Sequence, residues 1–151
     1  MAKTTGQIAS LFLPVAGKNL LLPNAAVAEI IDYVKPTPIA DMPDWFLGHV
    51  QWRGLNLPVV SYELANDGAI EETSPRARLA VINASSELQD KLPFFALVTQ
   101  GIPRLVKVAE EEISEQDSPT DVADLMQVRV SGEEACIPNL HYLETLIAQA
   151  I

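Results

Sequence analysis

The stretch PDWFLGHVQWRGLNLPVVSYEL occupies residues 43–64 and contains two short apolar runs, at 50–52 and 55–60, separated by Arg53 and Gly54. Glycine has no Cβ and adopts positive φ at little cost, so a tight turn or a bulge is readily formed at Gly54. The pattern therefore predicts a β-hairpin with Arg53 at the edge of its turn, directly after Trp52.

Arg53 has two interpretations within this hairpin. An isolated guanidinium is too costly to bury without a partner, so Arg53 is not a comfortable core residue. It is either an ordinary solvated arginine or a recognition arginine presented on a rigid strand pair. The spacing of the residues leaves both interpretations open.

Composition limits the class of protein. A chain of 151 residues with 48% hydrophobic residues suits one packed domain, or two small lobes sharing a core. A formal net charge of −10 disfavours nucleic acid and anionic lipid as partners. The single cysteine, Cys136, excludes an internal disulfide. With no apolar run of about 18 residues and no signal-peptide pattern, we expect a cytoplasmic protein.

The first third of the chain predicts strands. Residues 1–7 are expected to be a loose leader, and residues 8–22 a hairpin that turns at 17–19. Residues 23–26 suit a helical turn, since proline is tolerated at a helix start. The segment 27–34 fits both helical spacing and strand composition, and we favour a helical turn leading into a strand. Three prolines then stiffen residues 35–44, and Gly48 permits close backbone approach.

The sequence after residue 65 also predicts short strands, at 79–82, 94–99, 105–108, 126–130 and 135–137. A kink is expected at Gly101, and loops are expected at 66–75 and 84–93. The acidic run 109–121 lacks the register of a cation site and is expected to be a solvated loop. Ser118 resembles a helix start. Asn139 is expected to cap a final helix with one apolar face. The fold class is mostly β, of the barrel or sandwich type.

The chain is poor in residues that carry out chemistry. Its histidines are His49, expected to be structural, and His141. Cys136 and His141 are close enough in sequence to suggest a thiol nucleophile, but Cys136 lies in an apolar strand where a buried cysteine is more common. No glycine-rich phosphate loop and no zinc-ligand spacing occur. We therefore expect no catalytic residues, metal, cofactor or small-molecule substrate, and predict a binding protein.

The hairpin resembles a known signature. Residues 48–60, GHVQWRGLNLPVV, are similar to the pattern G-V-x-N-L-R-G-x-x-x-P-V-I-D-L of the CheW-like family, the coupling proteins of bacterial chemosensory arrays. Val27-Ala-Glu29-Ile resembles the V-x-E-I stretch of that family. Residues 95–102 resemble the strand of its second lobe, and 138–140 the start of its terminal helix. The resemblance covers nearly the whole chain after Gln7.

The resemblance implies a fold, partners and site residues. The fold would be a single domain, residues 8–151, made of two small five-stranded SH3-like β-barrels with short helices and a C-terminal helix. The protein would be an adaptor between the cytoplasmic tip of a chemoreceptor and a CheA-type histidine kinase. The implied partner-binding residues are Val27, Glu29, Trp52 and Arg53, and the implied structural turns contain Gly48, Gly54 and Gly101.

Several positions depart from the family pattern. Ser61 and Asn139 stand where aspartates are usual, Gln100 replaces another aspartate, and Trp52 replaces leucine. Ser61 and Asn139 can still cap a following turn as aspartate would. These departures suggest a divergent branch, and we hypothesise one that serves a pilus-associated system and twitching motility. The alternatives are a structural or assembly module without a signalling partner, and a thiol enzyme.

Overall fold

The computed structural model describes residues 7–66, 74–84, 93–117 and 120–150. Most of these residues form short strands. The elements are β1 Gln7–Val15, β2 Lys18–Pro23, β3 Val27–Asp32, β4 Phe46–Trp52, β5 Leu55–Val60, α1 Tyr62–Ala65, β6 Arg78–Asn83, β7 Phe94–Thr99, β8 Arg104–Ala109, β9 Ile113–Gln116, β10 Asp124–Val130, β11 Glu133–Pro138 and α2 Leu140–Ala150. Single 3₁₀ turns lie at Asn24–Ala26 and Glu110–Glu112.

The strands form two sheets, and the mostly β fold class is confirmed. One sheet has five strands in the order β3-β6-β7-β5-β4, and the other has six in the order β8-β1-β2-β11-β10-β9. The five-stranded sheet is built from the middle of the chain, whereas the six-stranded sheet combines the two flanks through the antiparallel pairing of β8 with β1 and the parallel pairing of β11 with β2. One sheet therefore has one strand more than the five that the resemblance implied.

The additional strand comes from the acidic run. Ile113–Gln116 pairs antiparallel with β10, so the expectation of a loop throughout residues 109–121 is wrong there. Its side chains are polar except for Ile113, which packs on the core of its own sheet. Ile113–Gln116 forms a strand because pairing with β10 satisfies its backbone N–H and C=O groups. The pattern of its side chains does not indicate that pairing.

Three apolar clusters fill the interior. One lies between the sheets, and we call it the shared core; each sheet also has a cluster of its own. In β6, Ala80 and Ile82 face the shared core, while Leu79 and Val81 face the other way into the cluster of the five-stranded sheet. A strand buried on both faces has a continuous apolar sequence, which explains the unbroken runs in β1, β6 and β7.

A buried carboxylate links the two sheets. The side chain of Asp124 in β10 is fully buried and accepts hydrogen bonds from the Tyr62 hydroxyl, from Asn66 Nδ2 at 3.1 Å and from Lys18 Nζ at 3.0 Å. Burial alone would raise the pKa of Asp124, but the donors led by Tyr62 outweigh burial and hold that pKa well below its usual range. Tyr62 and Asn66 follow β5, so this ionised group ties the six-stranded sheet to the five-stranded one.

Most local expectations hold, and several are corrected. The first hairpin, the helical turn before Val27 and the helix capped by Asn139 are confirmed, the last by a bond from the backbone N–H of Tyr142 to Asn139 Oδ1 at 3.0 Å. Gln7 belongs to β1 instead of the leader, whose residues 1–6 lie outside the described part.

Two further expectations concern helices. In residues 27–34 the expected helical turn does not form, whereas the expected strand does, because β3 pairs with β6. The helix start expected at Ser118 lies outside the described residues, and the chain from residue 120 onward turns directly into β10. Most of the loops expected at 66–75 and 84–93 also lie outside them.

Candidate functional site: a turn arginine, a tryptophan and a glutamate

The turn of the central hairpin presents Arg53 to solvent. β4 and β5 pair through Trp52 and Leu55, and both turn residues have positive φ, 48° for Arg53 and 78° for Gly54. Two residues with positive φ make the turn type whose twist matches that of paired strands. A Cβ on Gly54 would meet no atom within 4 Å, so Gly54 is required for its conformation and not for space.

Glu29 joins Trp52 and Arg53 through one oxygen. Its Oε1 accepts a hydrogen bond from the indole Nε1 of Trp52 at 2.9 Å and another from Nη2 of Arg53 at 3.0 Å. The guanidinium carbon of Arg53 lies 4.9 Å from the centroid of the Trp52 ring, within the range of a cation–π contact. We call these three residues the Glu29–Trp52–Arg53 cluster.

The cluster connects the two ends of the five-stranded sheet. Glu29 is on β3 and Trp52 is on β4, and these strands stand at opposite ends of the strand order. An isolated bridge between Thr37 and His49 makes a second connection between the segment after β3 and strand β4. The sheet therefore curls until its ends meet, as a small barrel requires.

The ion pair within the cluster is open to water. The side chain of Arg53 is 69% exposed and that of Glu29 is 39% exposed, so water screens their pairing and it contributes little to folding. The hydrogen bond from Trp52, followed by the bond and the charge of Arg53, lowers the pKa of Glu29 below its ordinary value. Glu29 is thus ionised at neutral pH, and Arg53 can change partners at little cost.

Val27 lies apart from the cluster. A β-bulge interrupts the pairing of β3 with β6 between Val27 and Glu29. Val27 packs, half-buried, on the shared core, whereas Glu29 is opposite Val81, which belongs to the cluster of the five-stranded sheet. Of the four partner-binding residues expected from the sequence, the structure brings three together and directs Val27 to the joint between the sheets.

Gly48 and Gly101 are both sites of close approach. A Cβ on Gly48 would lie 2.1 Å from the carbonyl oxygen of Thr37, and the φ of Gly48 is +136°. A Cβ on Gly101 would lie 3.2 Å from Cβ of Pro14, beside the bond of 2.7 Å from Gln100 N to the Pro14 carbonyl. The close approach expected at Gly48 is confirmed, but Gly48 lies within β4, at a bulge in its pairing with β5, and not in a turn.

Cys136 and His141 are not arranged as a catalytic pair. Cys136 is fully buried in the shared core, and its sulfur lies 3.9 Å from the Tyr62 hydroxyl. Burial, together with the neighbouring Asp124, raises the pKa of the thiol to about 12, so the thiol stays protonated at neutral pH. His141 is exposed on α2. His49 packs edge-on against Phe46 at 5.6 Å between ring centroids, as a structural histidine would.

Sequence reasoning did not indicate which large apolar side chains are exposed. Eight are exposed among the described residues, and two of them, Ile102 at 56% and Leu105 at 61%, lie close together in the chain, at the expected kink and in β8. Leu105 pairs with Leu11, which belongs to the shared core, so Leu105 lies beside the joint between the sheets. These side chains are exposed because β8 is an edge strand of its sheet. The local sequence does not indicate the position of a strand within a sheet.

The described residues contain no group of three or more histidine, cysteine or acidic side chains placed to hold a metal ion. Within the same residues, every helix is too short or too polar to cross a membrane.

Comparison with known proteins identifies a family and a shared fold. A family described as "CheW-like domain" matches residues 10–146. Among solved structures, the scaffolding protein TtCheW from Thermoanaerobacter tengcongensis superposes with a TM-score of 0.76 at 18% identity, covering 90% of this chain and 91% of that chain. This likeness shows that the two chains share a fold. No curated protein matches the sequence at a significant level.

Proposed function

We propose, starting from the fact that this chain belongs to the CheW-like domain family, that it is a scaffold that couples a chemoreceptor to a CheA-type histidine kinase without catalysing a reaction. It would act in the cytoplasm, where receptor tips and kinases of this kind meet. The observation that carries the proposal is the Glu29–Trp52–Arg53 cluster, which presents an exposed cation on a rigid hairpin.

Arg53 has the properties of a recognition residue. It is fixed at the end of two paired strands, its charge is mostly in water, and its present partner holds it only weakly. A carboxylate on a receptor helix that excludes water on docking would bind the guanidinium more strongly than the exposed Glu29 does. The surface cluster supports binding through a polar rim, which is common at interfaces that form and dissociate.

A scaffold needs a second surface for its second partner. We assign the kinase to the region of Ile102 and Leu105, because exposed apolar side chains beside the joint of the sheets favour contact with another protein. Arg53 is on the five-stranded sheet and Leu105 is on the six-stranded one, so the two contacts belong to different halves of the molecule.

The test is calorimetry with a soluble helical hairpin containing the receptor tip. Arg53→Glu should keep the far-UV circular dichroism and melting temperature of the parent chain and lose at least tenfold in affinity, about 1.4 kcal/mol. Arg129→Glu is the matched control, because Arg129 is also an exposed arginine on a strand, paired with Glu134 at 3.2 Å. Unchanged binding by Arg53→Glu, or an equal loss in the control, would refute the role of Arg53.

A further inference from the structure

We infer that Trp52 is a positioning residue: it holds the guanidinium of Arg53 in one place and orients Glu29 beside it, so that the two groups together recognise a carboxylate with a neighbouring amide or hydroxyl donor. This inference rests on the proposed function, since it names the chemistry that the partner would present to the cluster. It concerns a residue at which this chain departs from the leucine of the signature.

The indole of Trp52 makes three specific contacts, through its N–H, one face and its edge. Its N–H donates to Glu29 Oε1 at 2.9 Å, and the guanidinium of Arg53 lies over its face at 4.9 Å. Its ring also meets the ring of Phe94 edge-on, with 5.0 Å between centroids and an angle of 68°. Trp52 packs, half-buried, on the cluster of the five-stranded sheet. The ring is therefore held by the fold, and Arg53 covers its face.

These contacts restrict Arg53. A free arginine side chain samples many rotamers and loses that freedom on binding. Stacking on a ring that the fold holds in place, with a bond to Glu29, favours one arrangement of the guanidinium before any partner binds. A leucine at position 52 would supply neither an N–H for Glu29 nor a π-face for the guanidinium, so it would leave both groups to move independently.

The unused atoms of the cluster define what it recognises. Among the described residues, Oε2 of Glu29 accepts no hydrogen bond, and Arg53 donates only through Nη2. The other N–H groups of the guanidinium are free to bind a carboxylate, which accepts two of them side by side. Oε2 of Glu29 would accept a hydrogen bond from an amide or a hydroxyl of the partner, and would repel a second partner carboxylate. A partner helix fits the cluster if it carries a carboxylate and such a donor on one face, three or four residues apart.

The first experiment measures order in the absence of any partner. Heteronuclear relaxation of the Arg53 side-chain Nε–H should report a restricted group in the parent chain and a markedly more mobile one in Trp52→Leu and in Glu29→Gln. Trp52→Phe keeps a ring beneath the guanidinium and should be intermediate. Trp45→Phe is the matched control, because Trp45 packs on the shared core and should leave Arg53 unchanged. Equal order in all these variants would overturn the inference.

The second experiment is a double-mutant cycle with the receptor-tip hairpin as the probe. Trp52→Leu should weaken binding about tenfold, and Trp52→Phe about threefold, if Trp52 acts through its neighbours. Because Trp52 acts through both neighbours, adding Trp52→Leu to the pair Glu29→Ala and Arg53→Ala should weaken binding no further. Additive losses would overturn the inference and make Trp52 a direct contact. Absence of binding by the parent chain would refute the proposed function, while the relaxation measurement would still decide the role of Trp52.

Discussion

Gly48 shows how a single residue positions the candidate site. The backbone of β4 comes so near to Thr37 that any Cβ on Gly48 would overlap the Thr37 carbonyl oxygen, at 2.1 Å. That approach permits the bridge between Thr37 and His49, with N–H···O distances of 2.8 and 3.0 Å, which helps to close the five-stranded sheet. Glycine is therefore required at position 48 both because no space remains for a Cβ and because φ is positive.

We therefore expect Gly48→Ala to lower the free energy of unfolding by more than about 2 kcal/mol. Gly17→Ala is the control, because Gly17 also has positive φ, 80°, but a Cβ there would meet no atom within 4 Å. Its cost should be about 1 kcal/mol, the usual cost of the left-handed conformation. Urea unfolding of both variants checks the difference, and equal losses would show that the close approach is unimportant.

Cys136 gives a second prediction at the level of one residue. Because its thiol is fully buried and its pKa is raised to about 12, an aromatic disulfide reagent at pH 8 should label the native chain at least about a thousandfold more slowly than the chain in urea. His141→Ala should leave the native labelling rate unchanged. Rapid labelling that depends on His141 would instead support the thiol-enzyme alternative.

At the level of single elements, two of the residues that replace family aspartates behave differently. Asn139 caps α2 through its side-chain oxygen, as aspartate would, and it is half-buried. Ser61 accepts a bond from the N–H of Leu64 at 3.1 Å to cap α1, but its hydroxyl also donates to Glu63 Oε1 at 3.2 Å. An aspartate at position 61 has no proton to donate and would face Glu63.

Asn139→Asp should therefore be nearly neutral, and Asn139→Ala should cost about 1 kcal/mol through loss of the cap. Ser61→Asp should cost roughly 1–3 kcal/mol, because it buries a second carboxylate next to Glu63 at a position that is 1% exposed. Thermal unfolding at pH 7 checks the order of the three variants. A stabilising Ser61→Asp would show that the bond between Ser61 and Glu63 contributes nothing.

The elements that were predicted correctly are those whose information is local. Gly17 and Gly54 mark hairpin turns, and the spacing of Leu143 and Ile147 marks the buried face of α2. The features that were missed depend on distant pairing. β9 is a strand because β10 lies beside it, and the bulge that separates Val27 from Glu29 arises only from pairing with β6. Glu29 and Arg53 were both singled out, yet their bond to each other and to Trp52 required the curled sheet.

At the level of the whole molecule, Asp124 carries the electrostatic link between the sheets. Its pKa is lowered in the folded chain, so its contribution to stability is fully present above the unfolded value of about 3.9 and is lost as pH falls through the folded value. The molecule should therefore lose stability under acid conditions partly through this one group. Lys18, Tyr62 and Asn66 would then lose their charged acceptor.

Asp124→Asn should lower the free energy of unfolding by about 2 kcal/mol at pH 7, and the difference from the parent chain should shrink below a pH of about 4. Asp121→Asn is the control, because Asp121 contacts the same Lys18 at 3.3 Å but is 62% exposed. It should cause little change at any pH. Urea unfolding between pH 3 and pH 7 gives the comparison, and a pH-independent loss in Asp124→Asn would contradict the charged link.

The interleaved order of the two sheets has a consequence for synthesis. All strands of the five-stranded sheet lie between residues 27 and 99, so that sheet is complete once residue 99 has left the ribosome. β1 and β2 are synthesised before those strands, yet β2 obtains its neighbour β11 only when residues 133–138 appear. An unfinished chain therefore has an unpaired strand edge and an exposed joint between the sheets. Both are open to proteases and promote aggregation. The edge of β2 and the joint are covered only after β11 has been synthesised and has paired with β2.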